Sequence, residues 1–108
     1  MPFKVIARPE AQREIRGLGS NALKLEVAML LLRLENDPYL GRPLGNLPGV
    51  GDLSDCMKIF VDERRYRIIY RLLPESENPT HADVIIVGKR AQLEVYIEAV
   101  KRLGRDAA

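Results

Sequence analysis

The spacing of apolar positions switches between the periods that distinguish helices from strands, and each switch marks an element boundary. Residues 3–7 open as a short strand with Phe3 and Val5 on one face. Pro9 stands where a first helical turn begins, a place where its missing donor does no harm. Ala11, Ile15 and Leu18 recur at helical spacing until Gly17-Leu18-Gly19 ends the run, predicting a short first helix. Ser20 or Asn21 caps a longer second helix whose Leu23, Val27, Leu30, Leu31 and Leu34 form one stripe. Leu25, Met29 and Leu32 form a second stripe on its other side, set apart by Lys24, Glu26, Arg33 and Glu35. A helix apolar on two sides has to cover both, either sandwiched within the domain or by receiving a partner on the second stripe.

Residues 36–53 are rich in proline and glycine and read as a loop crossing the surface. Residues 55–61 then alternate, with Met57, Ile59 and Val61 on one face and Cys56, Lys58 and Phe60 on the other. Residues 65–72 alternate too, with Arg65, Arg67, Ile69 and Arg71 sharing a face. Asp62-Glu63-Arg64 between the two runs reads as a hairpin turn, which makes them antiparallel neighbours and brings Lys58, Arg65 and Arg67 to one side. After a polar connection over residues 74–81, residues 82–87 form a continuous apolar strand of the kind buried on both faces. Residues 91–103 return to the helical period through Leu93, Tyr96, Ile97, Val100 and Leu103. The order β-α-α-β-β-β-α predicts a small α+β domain with a mostly antiparallel sheet and its helices packed on one face.

With 108 residues, 46% of them hydrophobic and 30% charged, the chain is expected to be one globular domain over residues 1–108, frayed from residue 103 onward. No apolar run approaches the ~20 residues of a membrane span, so no membrane partner is expected. The N-terminal residues read directly into a strand without an apolar leader, which points to a cytoplasmic location. One cysteine, Cys56, and one histidine, His81, are too few for an intrachain disulfide or a structural zinc cluster, and neither metal nor cofactor is expected.

The net charge of +2 hides a local imbalance. Lys58, Arg64, Arg65, Arg67 and Arg71 face only Asp62 and Glu63 in the hairpin segment, and Lys89, Arg90, Lys101, Arg102 and Arg105 face only Glu94 and Glu98 in the last segment. Brought together, the two segments make an anion site of the kind that nucleic-acid binders carry. Its corner is Gly88-Lys89-Arg90, where a strand ends before a helix N-terminus and backbone donors favour an anion. Taken singly, Lys58 reads as an exposed strand lysine, Arg67 as half of a surface ion pair and Tyr96 as a core aromatic.

Taken together these residues match a known pattern. The segment VGKRAQLEVYIEAVKRL, with DCMKIF and YRIIYR upstream and RPEAQREI near the N-terminus, resembles the RelE branch of the RelE/ParE toxins of bacterial toxin–antitoxin systems. The resemblance implies a small endoribonuclease that enters the ribosomal A site and cuts mRNA there without a metal, leaving a 2′,3′-cyclic phosphate and a 5′-hydroxyl. It places Lys58 at the catalytic lysine, Arg67 at a phosphate-gripping arginine, Arg90 at an arginine serving the transition state or leaving group, and Tyr96 at a tyrosine that stacks on an mRNA base. Arg64, Arg65 and Lys89 join as further RNA or phosphate contacts.

One position departs from that pattern. The family often carries a second lysine two residues after the first, and here Phe60 stands there, on the same strand face as Lys58. An arginine such as Arg64 or Arg65 compensates in charge but is a poor base. The resemblance implies as partners the ribosome, mRNA and a cognate antitoxin encoded nearby, whose helix the Leu25, Met29 and Leu32 stripe would receive. Two other readings stand beside it: a non-enzymatic inhibitor of DNA gyrase of the ParE type, and a toxin that has lost catalysis and keeps only antitoxin binding.

Overall fold

The computed structural model describes residues 3–89 and 93–105. Its elements are β1 (Lys4–Ala7), α1 (Pro9–Arg16), α2 (Asn21–Asn36), β2 (Arg42–Leu47), β3 (Gly51–Val61), β4 (Tyr66–Leu73), β5 (His81–Lys89) and α3 (Glu94–Arg102). They build a five-stranded sheet in the order β1-β5-β4-β3-β2. β1 runs parallel to β5, while the other pairings are antiparallel. Among the described residues no helix is long and apolar enough to cross a membrane.

Local chemistry fixes the helices as their sequence suggests. Pro9 occupies the first turn of α1, and the Ser20 hydroxyl accepts from the Leu23 N–H at 3.2 Å to cap α2. Leu23, Val27 and Leu34 of α2 are buried with Ala11 of α1 against Met57, Ile59, Val61, Ile68, Tyr70 and Leu72 of the sheet. Leu25, Met29 and Leu32 remain 61%, 56% and 59% exposed, so the second stripe of α2 is not sandwiched within the fold.

The α+β class and the mostly antiparallel sheet agree with the sequence, and three details differ. First, the helices divide between the two faces. Val95, Tyr96, Ala99 and Val100 of α3 pack with Cys56, Ile69, Ile85 and Ile86 on the face opposite α1 and α2. The pairing of Ile69 with Ile86 and of Tyr70 with Val84 leaves Ile85 as an extra residue, so two successive β5 residues serve the α3 core.

Second, the glycine- and proline-rich segment contains a strand. β2 pairs along the outer side of β3, where an edge position tolerates Pro43 and the register shifts between Pro43 and Gly45. Gly41 allows the approach: a Cβ there would lie 2.8 Å from both the Lys58 carbonyl and the Tyr70 ring. The Tyr70 hydroxyl accepts from the Gly41 N–H at 2.9 Å and donates to the Pro38 carbonyl at 2.9 Å, pinning the chain as it enters β2.

Third, the chain is anchored beyond residue 103. Leu103 packs against the α3 core, and Arg105 meets both Asp55 carboxylate oxygens at 2.7 Å. Residues 106–108 lie outside the described residues.

The far end of α3 closes an exposed sheet edge. β1 stops where Ala7 pairs with Val84, leaving the outer side of β5 without a strand partner beyond that point. Glu14 of α1 accepts from the Val87 N–H at 3.2 Å, and Arg102 of α3 donates to the Ile85 carbonyl at 3.0 Å. The two side chains then meet in a forked pair at 2.9 and 2.8 Å, so helices on opposite faces are tied across the strand edge. Arg8 adds a bond to the Arg102 carbonyl at 2.8 Å while gripping Asp83 at 3.0 and 2.9 Å.

Asp83 also accepts from Arg71 at 2.9 Å. Burial alone would push its pKa up, but the hydrogen bonds and charges of Arg8 and Arg71 outweigh burial and hold the carboxyl below its usual range. A carboxylate with a folded pKa below its unfolded value of ~3.9 contributes fully above that value and loses the contribution as pH falls through the folded one. Asp83→Asn should therefore lower Tm at neutral pH, and its gap to the wild type should narrow as pH drops from about 5 toward about 2. Thermal unfolding followed across that range checks this, and a gap independent of pH would contradict it.

Candidate functional site

Antiparallel pairing of β3 and β4 sets Phe60 directly opposite Arg67 and Lys58 opposite Ile69. Alternation then puts Lys58, Phe60 and Arg67 on the α3 side of the sheet, because Ile69 packs there. On its other flank Arg67 faces Gly88 of β5. A Cβ at Gly88 would lie 3.2 Å from Cγ2 of Val95, so the glycine lets the start of α3 come close over the strand.

That approach brings Tyr96 over Arg67. The Arg67 Nε donates to the Tyr96 hydroxyl at 2.6 Å, and one terminal nitrogen donates to the Arg64 carbonyl at 3.0 Å. The guanidinium carbon lies 4.4 Å from the centre of the Phe60 ring, within cation–π range. Arg67 is only 4% exposed, yet none of the ion pairs among the described residues includes it. Its second terminal nitrogen meets no acceptor among the described residues.

Two more cations gather on the same ring. The Lys58 ammonium stands 5.1 Å and the Arg64 guanidinium 5.0 Å from the Phe60 centroid. Arg64 reaches it from the tight turn between β3 and β4, where Asp62, Glu63 and Arg64 take φ values of 51°, 53° and 74°. Three successive non-glycine residues in the left-handed region are strained, and the backbone is held there by the Arg64 carbonyl bond to Arg67 and by the Asp62 N–H donating to Glu26 of α2 at 3.0 Å. From this left-handed turn the Arg64 guanidinium lies over the Phe60 ring.

The remaining residues expected at the site fall differently. Arg65 is exposed and lies 3.9 Å from Asp62, outside the cluster on Phe60. Lys89 pairs with Tyr66, whose ring packs toward the α1/α2 core, so alternation places Lys89 on the face away from Lys58 and Arg67. Tyr96 is 7% exposed, its ring packs in the α3 core, and its hydroxyl accepts from Arg67. Arg90 lies outside the described residues. His81, expected in a connection, begins β5 at the end opposite Gly88.

Neither remaining candidate nucleophile nor metal ligand competes with this cluster. Burial pushes the Cys56 thiol up to about 12, leaving it inert. No three residues of His, Cys, Asp or Glu come together as metal ligands among the described residues. Two concavities of about 380 Å³ lie elsewhere, one lined by Tyr39, Asp55 and Cys56 and one by Val5, Ala28, Leu31 and Glu35. What sequence reasoning missed is the Tyr96–Arg67 bond, the spacing role of Gly88 and the ring of Phe60 as the common neighbour of the cations. The i, i+2 alternation that paired Phe60 with Lys58 was the available signal for the last of these.

No protein-family profile matches the chain. The mRNA interferase toxin RelE of Escherichia coli (strain K12) is 36% identical over 93 residues, spanning 86% of this chain and 88% of that protein. The crystal structure of the isolated E. coli RelE toxin superposes with a TM-score of 0.62 at 29% identity, covering 95% of this chain and 99% of that one. A chain of the crystal structure of the intact E. coli RelBE toxin–antitoxin complex superposes with a TM-score of 0.63 at 25% identity, covering 85% of this chain and 100% of that one.

Removing the Tyr96 hydroxyl leaves the buried Nε of Arg67 without its acceptor. Tyr96→Phe should destabilise the fold by about 1–3 kcal/mol, the usual cost of orphaning a buried donor. Urea unfolding measures this, and unchanged stability would show that the bond does not hold Arg67.

Proposed function

We infer the activity of this protein from a premise now in hand: the chain belongs to the RelE family of mRNA interferase toxins. It acts as the toxin of a type II toxin–antitoxin pair, an endoribonuclease that cuts mRNA in the ribosomal A site and so blocks translation. The observation that carries this reading is Arg67, a buried guanidinium with no carboxylate partner among the described residues, flanked by two further cations around one ring. A permanent charge held in that state is suited to a phosphodiester supplied by the substrate.

The reaction needs no group from outside the RNA. The 2′-hydroxyl oxygen attacks the adjacent phosphorus, the bond to the 5′-oxygen breaks, and a 2′,3′-cyclic phosphate and a 5′-hydroxyl result. Charge grows on the non-bridging oxygens on the way, so fixed cations bind the transition state more tightly than the ground state. Arg67 and Arg64 serve that charge. Lys58 takes the 2′-hydroxyl proton as the free amine, once its ammonium has given a proton to water, and Arg90 serves the leaving 5′-oxygen, which takes its proton from water; both roles are those their positions in the family pattern imply. With Phe60 in place of a second lysine, proton transfer has one fewer candidate and electrostatic stabilisation carries more of the rate.

The family pattern implies a strand presented by a larger partner, the ribosome. A cognate antitoxin is the other partner. The uncovered apolar stripe of α2 supports docking of an amphipathic antitoxin helix there.

Two outcomes check these readings. Purified protein added to ribosomes translating a defined mRNA should produce cuts mapped by primer extension, and Arg67→Ala should slow them by about 10²–10³-fold. Intact mRNA at concentrations that arrest growth would overturn the nuclease reading, and a block of gyrase supercoiling in the same preparation would replace it with the ParE-type activity. Leu25→Asp should weaken antitoxin affinity in a calorimetric titration while leaving cleavage intact, and unchanged affinity would move the antitoxin elsewhere.

A further inference from the structure

The structure assigns to Phe60 a positioning role: we propose that its ring is the platform that holds Lys58, Arg64 and Arg67 together, with no carboxylate partner among the described residues, ready for an RNA phosphodiester. The inference deepens the nuclease reading and rests on it for the identity of the ligand.

Three like charges do not gather without a compensating attraction. Along the rest of this molecule that attraction is a carboxylate: Arg8 and Arg71 share Asp83, Arg102 takes Glu14 and Glu98, and Arg105 takes Asp55. At the β3–β4 hairpin the common neighbour is instead the face of Phe60, with the three cationic groups 4.4 to 5.1 Å from its centroid. A carboxylate there would satisfy the cations by neutralising them and would repel a phosphate. The ring quadrupole attracts each cation and leaves its charge undiminished.

The geometry is built to this end. Phe60 is paired across the ladder with Arg67, which fixes the ring beside the most buried of the three cations. Lys58 precedes it by two residues on the same strand face, and the left-handed turn returns Arg64 to the ring from the other direction. Each cation therefore comes from a different backbone position, and the ring is their shared contact. A lysine at position 60 would add a fourth charge and remove that contact.

The test compares Phe60→Leu, which keeps the apolar bulk, with Phe60→Tyr, which keeps the ring. Phe60→Met serves if the leucine variant fails to fold. Two readouts are taken on each folded protein. Ring-current shifts of the Arg67 and Lys58 side-chain protons report the stacking. The affinity for a short single-stranded RNA blocked by 2′-O-methyl groups reports its use. The proposal expects Phe60→Leu to lose the ring-current shifts and to weaken RNA binding roughly ten-fold, the scale of losing several cation–π contacts, and Phe60→Tyr to restore both. A folded Phe60→Leu that binds the RNA as tightly as wild type would overturn it and leave the nuclease reading standing. If the wild type itself fails to bind the free RNA, the nuclease reading is decided by the cuts on ribosome-bound mRNA, and the platform is judged by the resonances alone, with shifts lost in Phe60→Leu supporting it and unaltered shifts overturning it.

Discussion

A buried charge, Arg67, with no counter-charge among the described residues is the constraint around which this molecule is arranged. Taking an arginine out of water is costly unless its donors are met, and at Arg67 neutral groups meet part of them: a phenol takes Nε, a backbone carbonyl takes one terminal nitrogen, and a ring face covers the guanidinium. Each of those partners depends on a different part of the fold. The phenol arrives because Gly88 lets α3 close over β5, the carbonyl because the hairpin turn runs left-handed, and the ring because β3 and β4 are held in one register.

The opposite end of α3 shows what the same sequence does where charge is to be silenced. Arg102 and Glu14 meet across the unpaired edge of β5, and Arg8 and Arg71 converge on Asp83. These forked pairs satisfy the strand edge and anchor the helix that carries Tyr96. One helix thus spans a neutralised end that fixes its position and an end whose cationic neighbour keeps its charge. The division of helices between the two sheet faces makes this possible, since α3 covers its own half of the sheet without competing with α1 and α2.

Much of this was legible from residue spacing. Alternation in the two hairpin strands put Lys58, Phe60 and Arg67 on one side, and the helical stripes identified Leu23, Val27, Val100 and Tyr96 as interior candidates. The reasons for the misses are physical. β2 is an edge strand built from Arg42–Leu47, where glycine and proline are tolerated because only one side of the ladder must be satisfied, and composition alone reads such a stretch as loop. Which face α3 takes depends on the crossing of the chain after β5 and leaves no periodic signal. The direction of Lys89 was not legible, because residues 82–87 are apolar without alternation and the extra residue at Ile85 shifts the faces of β5 ahead of it. The hydroxyl partner of Tyr96 was not legible, because it is a property of the packed state.

The exchange of a lysine for Phe60 is thus a change in how the site is held together as well as in its charge. The central claim is that Arg67 keeps donors for an RNA phosphate, and side-chain NMR of the guanidinium reads this most directly. Titration with a dinucleotide carrying a 2′-deoxy group at the scissile position should shift the Arg67 Nε–H and terminal N–H resonances in a saturable way that weakens as salt rises. Arg67 resonances that stay fixed through the titration, while others on the surface respond, would contradict the account.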